Sequence, residues 1–342
     1  MKKRLHSLCF TGARIIIGLA IAFFLISKTM EEAKVTPADL WAKISQANPL
    51  LLLLAMSLYG VVLMLGAWRW RLLLNAQHIS SSWLNAFRLT LIGFFFNLAV
   101  PGAVGGDVAK MGYLAKMRKG QATEGVFSII VDRLFGVFGL FVVASISVLA
   151  GWPLLRGLPP ESAFIRQAAI VVALGSVAGI AALLVMEFHA TLLNFPGIRN
   201  LWPVAARITP QPVSETVIRL VRALDIYRKN KPVLGLAFLI SLCVHTLLGA
   251  ELYVVGRAMA ERTTPARGYF LTTQVANAVA AVPVTPGGVG LRDKSSQEFL
   301  SAFGMSAELA AIIPLAVTVI ILVWAMIGLV VFIIGPSDTG KD

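Results

Sequence analysis

The feature that most restricts this chain is the length of its apolar runs. A helix needs about 20 mostly apolar residues to cross the hydrocarbon core of a bilayer. Stretches of that kind lie at roughly 8 to 27, 49 to 67, 126 to 150, 166 to 187, 232 to 255 and 309 to 334. Inside hydrocarbon every backbone N–H and C=O must find its partner within the protein, so such runs fold as helices. The expected class is an all-α polytopic membrane protein, a single membrane domain over 1–342. Composition agrees, with 57% of residues hydrophobic and 14% charged, whereas soluble domains carry about 25% charged residues. The net charge of +13 would suggest nucleic acid in a soluble protein. In a membrane protein it reflects cytoplasmic loops and anionic headgroups, so no nucleic-acid partner is expected. Arg14 interrupts the first run, which follows Lys2-Lys3-Arg4 and meets no small-residue cleavage site in Ser27 to Glu32; it reads as an uncleaved signal anchor.

Two further apolar runs fall short of a crossing. Leu89 to Val100 is bounded by Arg88 and Pro101-Gly102, and Phe270 to Val284 carries Thr272, Thr273, Gln274 and Asn277 before the next Pro-Gly break. Each reads as the half-helix of a re-entrant helical hairpin, at 84–100 and 268–284, giving six full spans plus two re-entrant hairpins; eight full spans is the alternative. A shift of 185 residues lays Pro101 on Pro286, Gly102 on Gly287 and Gly105 on Gly290. The order span, half-hairpin, span thus recurs at about 49–150 and 232–334. The single span between them turns the second unit over, which predicts two inverted-topology repeats of the kind many transporters use. They are joined by a connecting span and a cytoplasmic amphipathic segment over 166–231, where Val213, Val217, Leu220, Val221 and Leu224 recur at helical spacing. That spacing suits a helix on the leaflet and an ordinary packed loop helix equally. In the six-span arrangement 19 basic residues, Arg69 among them as a loop charge, fall on one side and 10 on the other, which places both termini in the cytoplasm.

The polar residues gather at the breaks. In Asn97 to Lys110, NLAVPGAVGGDVAK, glycines at 102, 105 and 106 allow a sharp turn and close backbone approach. If the returning helix begins at Val108, Asp107 caps it, and its free N–H groups together with Lys110 form an anion site suited to phosphate. The second break, Thr285-Pro286-Gly287-Gly288-Val289-Gly290, leads into Arg292, Asp293 and Lys294. The plainer alternative is that the glycines serve close helix packing and Asp107 is a cap only. Asp132 and Arg133 lie inside the span 126 to 150, where a central charge costs about 2.5 to 3.5 kcal/mol on insertion scales. Neighbours on a helix face different ways, so each needs a partner elsewhere. A charge network reaching the first hairpin is expected, with snorkelling of Arg133 as the alternative; Gly136 and Gly139 share the face of Asp132 and let another helix approach. His245 and Glu251 are either packing residues or proton-relay groups, and Gly175 with Gly179 forms a G-x-x-x-G contact face. No nucleotide, zinc-hydrolase or nucleophile-elbow motif occurs, and Cys9 and Cys243 form no ligand cluster, so no cofactor or metal is expected.

Taken in order, Asn97, Pro101, Gly105-Gly106-Asp107, Asp132-Arg133 followed by Gly136, and Thr285 to Gly290 resemble the signature of the transmembrane, flippase-type domain of lysylphosphatidylglycerol synthases and its stand-alone relatives, over about 50–334. The resemblance implies an inner-membrane protein with inverted repeats and re-entrant helices that handles or translocates polar lipids. Lys110 stands where the family commonly has Arg, keeping the charge but losing two-point phosphate geometry. Asp293 stands where Glu is common. No aminoacyl-transferring soluble domain lies within the 342 residues, so lysyl transfer is not expected of them.

The expected function is that of a lipid flippase or scramblase, not an enzyme, moving a polar, phosphate-bearing lipid between leaflets. The expected substrate-binding residues are Asn97, Pro101, Gly105, Gly106, Asp107, Lys110, Asp132, Arg133, Thr285, Pro286, Gly287, Gly288, Gly290, Arg292 and Asp293. Two other classes stay open: a membrane enzyme acting on polyprenyl-phosphate or glycolipid substrates with Asp107 or Asp132 as base, and a non-catalytic envelope-assembly scaffold. Besides the lipid, a second copy of the chain or an envelope-biosynthesis protein is an admissible partner.

Overall fold

The computed structural model describes residues 2–99, 105–117, 122–175, 177, 227, 230–281 and 285–335. These residues are helical, with no strand among them. The helices are α1 (Lys2–Ala33), α2 (Pro37–Gln46), α3 (Pro49–Ala76), α4 (Trp83–Ala99), α5 (Gly105–Met117), α6 (Ala122–Arg156), α7 (Ala163–Gly175), α8 (Lys231–Ala258), α9 (Ala266–Ala280), α10 (Leu291–Ala302) and α11 (Ala307–Ile334). Pro101, Gly102, Gly179 and, except for residue 227, the whole amphipathic pattern at 213–229 lie outside the described residues.

Among the described residues four helices are long and apolar enough to cross a membrane, α3, α6, α8 and α11. They contain the expected spans at 49, 126, 232 and 309. The expected span 8 to 27 lies within the continuous helix α1, and the one at 166 to 187 is described only to Gly175 and at 177. Asn48 starts α3 by accepting from the N–H groups of Leu50 and Leu51, with Pro49 at the first helical position. Its other end corrects the sequence reading: α3 does not stop at 67 but runs on to Ala76. Arg69, counted as a loop charge, is a buried side chain within it. One helix escaped the sequence reading altogether. Thr36 and Asp39 make a reciprocal capping box for α2, reinforced by Pro37.

The order long, short, short, long occurs twice, in α3 to α6 and in α8 to α11. The leading helices of the two sets run antiparallel against each other. At one end the Asn48 N–H donates to the Ala258 carbonyl at 2.9 Å, and at the other the Tyr227 hydroxyl donates to the Leu73 carbonyl at 2.9 Å. The short helices, of 17, 13, 15 and 12 residues, each fall below the crossing length and pack in pairs, α4 with α5 and α9 with α10. Between the second pair, Gly287, Gly288 and Gly290 take φ of 57°, 73° and 82°, left-handed values that explain why three glycines occur there. The main core gathers around α11, whose Ile312, Ile313, Leu315 and Ile320 are buried among residues of α1, α3, α8 and α10. Gly328 lets α11 pass directly over the Leu91 carbonyl of α4, where any Cβ would collide.

Candidate functional site

A cavity of about 570 Å³ opens where the two hairpin pairs meet. Its size is within the roughly 300 to 1,000 Å³ of small-molecule sites. Asn97 and Leu98 of α4, Asp107 of α5, Arg133 of α6, His245 and Glu251 of α8, Thr273 and Asn277 of α9, and Gly287, Arg292 and Asp293 of the second break all line it. The two breaks are in contact: a Cβ added to Gly287 would fall 2.9 Å from the Leu98 side chain. Pro314, placed mid-helix in α11, also lines the cavity.

At the first break the helix starts earlier than expected. α5 begins at Gly105, and the Gly106 N–H is satisfied by the side-chain oxygen of Asn97 at 2.9 Å. Asn97 therefore performs the capping role assigned to Asp107. Asp107, now inside the first turn, instead accepts a two-point ion pair from Arg133, Nε to Oδ2 at 2.9 Å and Nη2 to Oδ1 at 3.1 Å. Gly106 is required by close approach, since a Cβ there would overlap the Gly93 carbonyl. Lys110 points away from the cavity. Its ammonium lies 4.4 Å from the centre of the Trp70 ring, a cation–π contact, and Trp70 in turn donates to Ser128 at 3.3 Å.

Asp132 bonds to Arg69 rather than to a hairpin residue, so the expected network reaches the first hairpin through Arg133 and Asp107. Asp132 accepts from Arg69 Nε at 2.7 Å, and Arg69 Nη1 donates to Ser241 Oγ at 2.7 Å, so one buried guanidinium ties α3, α6 and α8 together. Two glycines make room for it. Gly136 faces the Arg69 guanidinium, and a Cβ on Gly139 would fall 2.6 Å from the Ser241 Cβ. Sequence reasoning missed Arg69 and Ser241; the signal available was an arginine between two tryptophans with no polar face around it.

At the second break Arg292 donates to Asp293 Oδ1 from Nε at 3.0 Å and Nη2 at 2.7 Å. Thr318 of α11 bonds both partners, donating to Asp293 Oδ2 at 2.7 Å and accepting from Arg292. Asp293 is buried, so this closed triad anchors α10 to α11. Lys294 lies apart, in an exposed pair with Glu298 at 3.4 Å. Thr285 Oγ1 is buried without a hydrogen-bond partner, and Gly288 and Gly290 are buried. Of the expected site residues, the cavity collects Asn97, Asp107, Arg133, Gly287, Arg292 and Asp293, while Lys110 and Asp132 stand behind its wall. Pro101 and the Pro286 side chain lie outside the description. No group of three metal-ligating side chains occurs among the described residues.

Long apolar helices around a cavity that holds two ion pairs, Arg133–Asp107 and Arg292–Asp293, define a class: a polytopic membrane protein with an interior polar site. Residues 15–335 match the family model described as the lysylphosphatidylglycerol synthase TM region, and the chain belongs to that family. It is similar to a UPF0104 membrane protein of Methanothermobacter thermautotrophicus, 25% identical over 285 residues, 79% of each chain. It is also similar to the UPF0104 membrane protein PH1989 of Pyrococcus horikoshii, 24% identical over 297 residues, 79% of this chain and 84% of that one.

Proposed function

We propose that this protein moves a polar, phosphate-bearing lipid between the leaflets of a bacterial-type cytoplasmic membrane, with the headgroup crossing through the cavity between the hairpins and the acyl chains remaining in lipid. The observation that carries the proposal is the cavity itself, where Arg133 from one set of helices and Arg292 from the other face a common space beside two neutral amides, Asn97 and Asn277. Arginine suits phosphate because its planar fork offers paired donors. Each guanidinium already holds a carboxylate, so an arriving phosphate exchanges one anion for another rather than meeting a bare charge.

In this reading α3 to α6 and α8 to α11 are inverted repeats, and α4–α5 and α9–α10 are re-entrant hairpins entering from opposite faces. Their sub-crossing lengths, the antiparallel α3 and α8, and the contact of Gly287 with Leu98 support it. Both termini then lie in the cytoplasm.

The test is leaflet exchange of NBD-labelled phosphatidylglycerol in vesicles of purified protein, read by dithionite quenching. Loss of a charged hydrogen-bond donor costs about 1.5 to 3 kcal/mol, so Arg133→Ala slows exchange roughly 10- to 100-fold, and Asp107→Ala, which frees the guanidinium from its partner, abolishes the cycle. Rates equal to wild type in variants that remain folded contradict the assignment.

A further inference from the structure

The ion pairs leave one charged group of the cavity over. Among the described lining residues Asp107 is matched by Arg133 and Asp293 by Arg292, but Glu251 has no such partner. Glu251 is 1% exposed, and its Oε1 is buried without a hydrogen bond. An unpaired buried carboxylate is expensive and in a membrane marks a functional site. The titratable and charged groups that line the cavity with it are Tyr59 of α3, Arg292 and Asp293 of α10, Arg133 of α6, Asp107 of α5 and, on its own helix, His245; of these Tyr59 and Arg292 interact with it directly. His245 bonds the Gly136 carbonyl through Nε2 at 2.9 Å; a carbonyl only accepts, so Nε2 carries the hydrogen and the unpartnered Nδ1 is a lone-pair site. The charged residues that line the cavity are also unequal in number: three carboxylates, Asp107, Glu251 and Asp293, share it with two guanidiniums, Arg133 and Arg292.

We infer that Glu251 is a proton-binding site whose protonation admits an anionic headgroup to the Arg292 side of the cavity, so that lipid and proton move together; this rests on the lipid-translocation reading above. While ionised, Glu251 competes with a phosphate for Arg292. A proton from water on the entry face adds to a Glu251 carboxylate oxygen and removes that competition. The same O–H bond breaks when the cavity opens to the other face, and the proton leaves to water there. Linkage makes the effect reciprocal: bound anion favours the proton as much as the proton favours the anion.

The test titrates NBD-labelled phosphatidylglycerol into the purified full chain in detergent between pH 5 and pH 9. One proton taken up per lipid weakens binding by up to about tenfold per pH unit on the alkaline side, with a plateau in acid. Glu251→Gln binds at the wild-type acid level at every pH, Glu251→Asp keeps the slope, and His245→Gln keeps it as well. A flat wild-type profile, or an undiminished slope in Glu251→Gln, overturns the inference; a group with a structural role only would alter stability and leave the slope. Where the glutamine variant fails to fold, a flat wild-type profile still overturns the inference, and Glu251→Asp supports it by keeping the slope with a shifted midpoint. Measurable but flat binding removes the coupling alone, whereas absence of both binding and leaflet exchange at every pH removes the translocation reading and the coupling with it.

Discussion

Replacing Arg69 by methionine probes a side chain shared among three helices. Arg69 and Asp132 are 10% and 13% exposed, and the guanidinium makes two 2.7 Å bonds, to Asp132 and Ser241. Methionine fills much of the stem volume but strands the carboxylate inside the helix bundle. Breaking a buried pair in this way costs about 3 to 5 kcal/mol, which is roughly 10² to 10⁴ in the unfolding equilibrium at about 1.4 kcal/mol per factor of ten. The loss belongs mainly to the abandoned charge, so removing it restores stability. Arg69→Met with Asp132→Leu should therefore lie within about 1 to 2 kcal/mol of wild type, since apolar replacements of buried pairs are often nearly neutral. The assay is reversible unfolding in mixed micelles with increasing SDS, followed by tryptophan fluorescence, on wild type, both single variants and the double variant. A double variant as unstable as the sum of the singles refutes the pairing argument.

Two glycines of α5 should respond oppositely to alanine. Gly106→Ala forces a Cβ into the Gly93 carbonyl and destabilises by about 1 to 3 kcal/mol, whereas Gly112→Ala meets nothing within 4 Å and stabilises by up to about 1 kcal/mol; the same SDS titration reads both. Glu261, in the turn between α8 and α9, gives a pH prediction. Burial alone would push its carboxyl up, but bonds from Thr263, Tyr269 and Thr264 outweigh that and hold it below its ordinary 4.5. Its stabilisation is thus complete above about pH 4.5 and is lost as pH falls through the lower folded value. Wild type should lose stability on acidification below that point more steeply than Glu261→Gln, and identical acid profiles would contradict the role of these bonds in holding the turn.

The four long spans were legible because hydrocarbon imposes a length that a run of apolar residues either meets or does not. The glycines of the second break were legible because left-handed backbone angles leave little choice of residue. Partners were not. Arg69 and Asp132 are 63 positions apart and Arg69 and Ser241 are 172 apart, so nothing local marks them as neighbours. Arg69 was taken for a loop charge because the apolar run was closed ahead of Trp68-Arg69-Trp70-Arg71, whereas a guanidinium satisfied from other helices lets α3 continue through it. The exchange of roles between Asn97 and Asp107 has a similar origin. Both residue types cap helices well, and the choice depends on where α5 begins, which is set by the Gly93 and Gly106 backbones packing across the hairpin. Lys110 carried a phosphate role in the sequence reading because its charge was visible and the Trp70 ring that holds it, 40 residues earlier, was not.

The most direct test of the central claim is an experimental structure of the protein in phosphatidylglycerol nanodiscs. The account predicts a lipid whose phosphate lies inside the cavity within hydrogen-bonding reach of Arg133 or Arg292, with its acyl chains leaving between helices. Headgroups ordered only around the outer rim, with the Arg133–Asp107 and Arg292–Asp293 pairs closed over an empty interior, would contradict it.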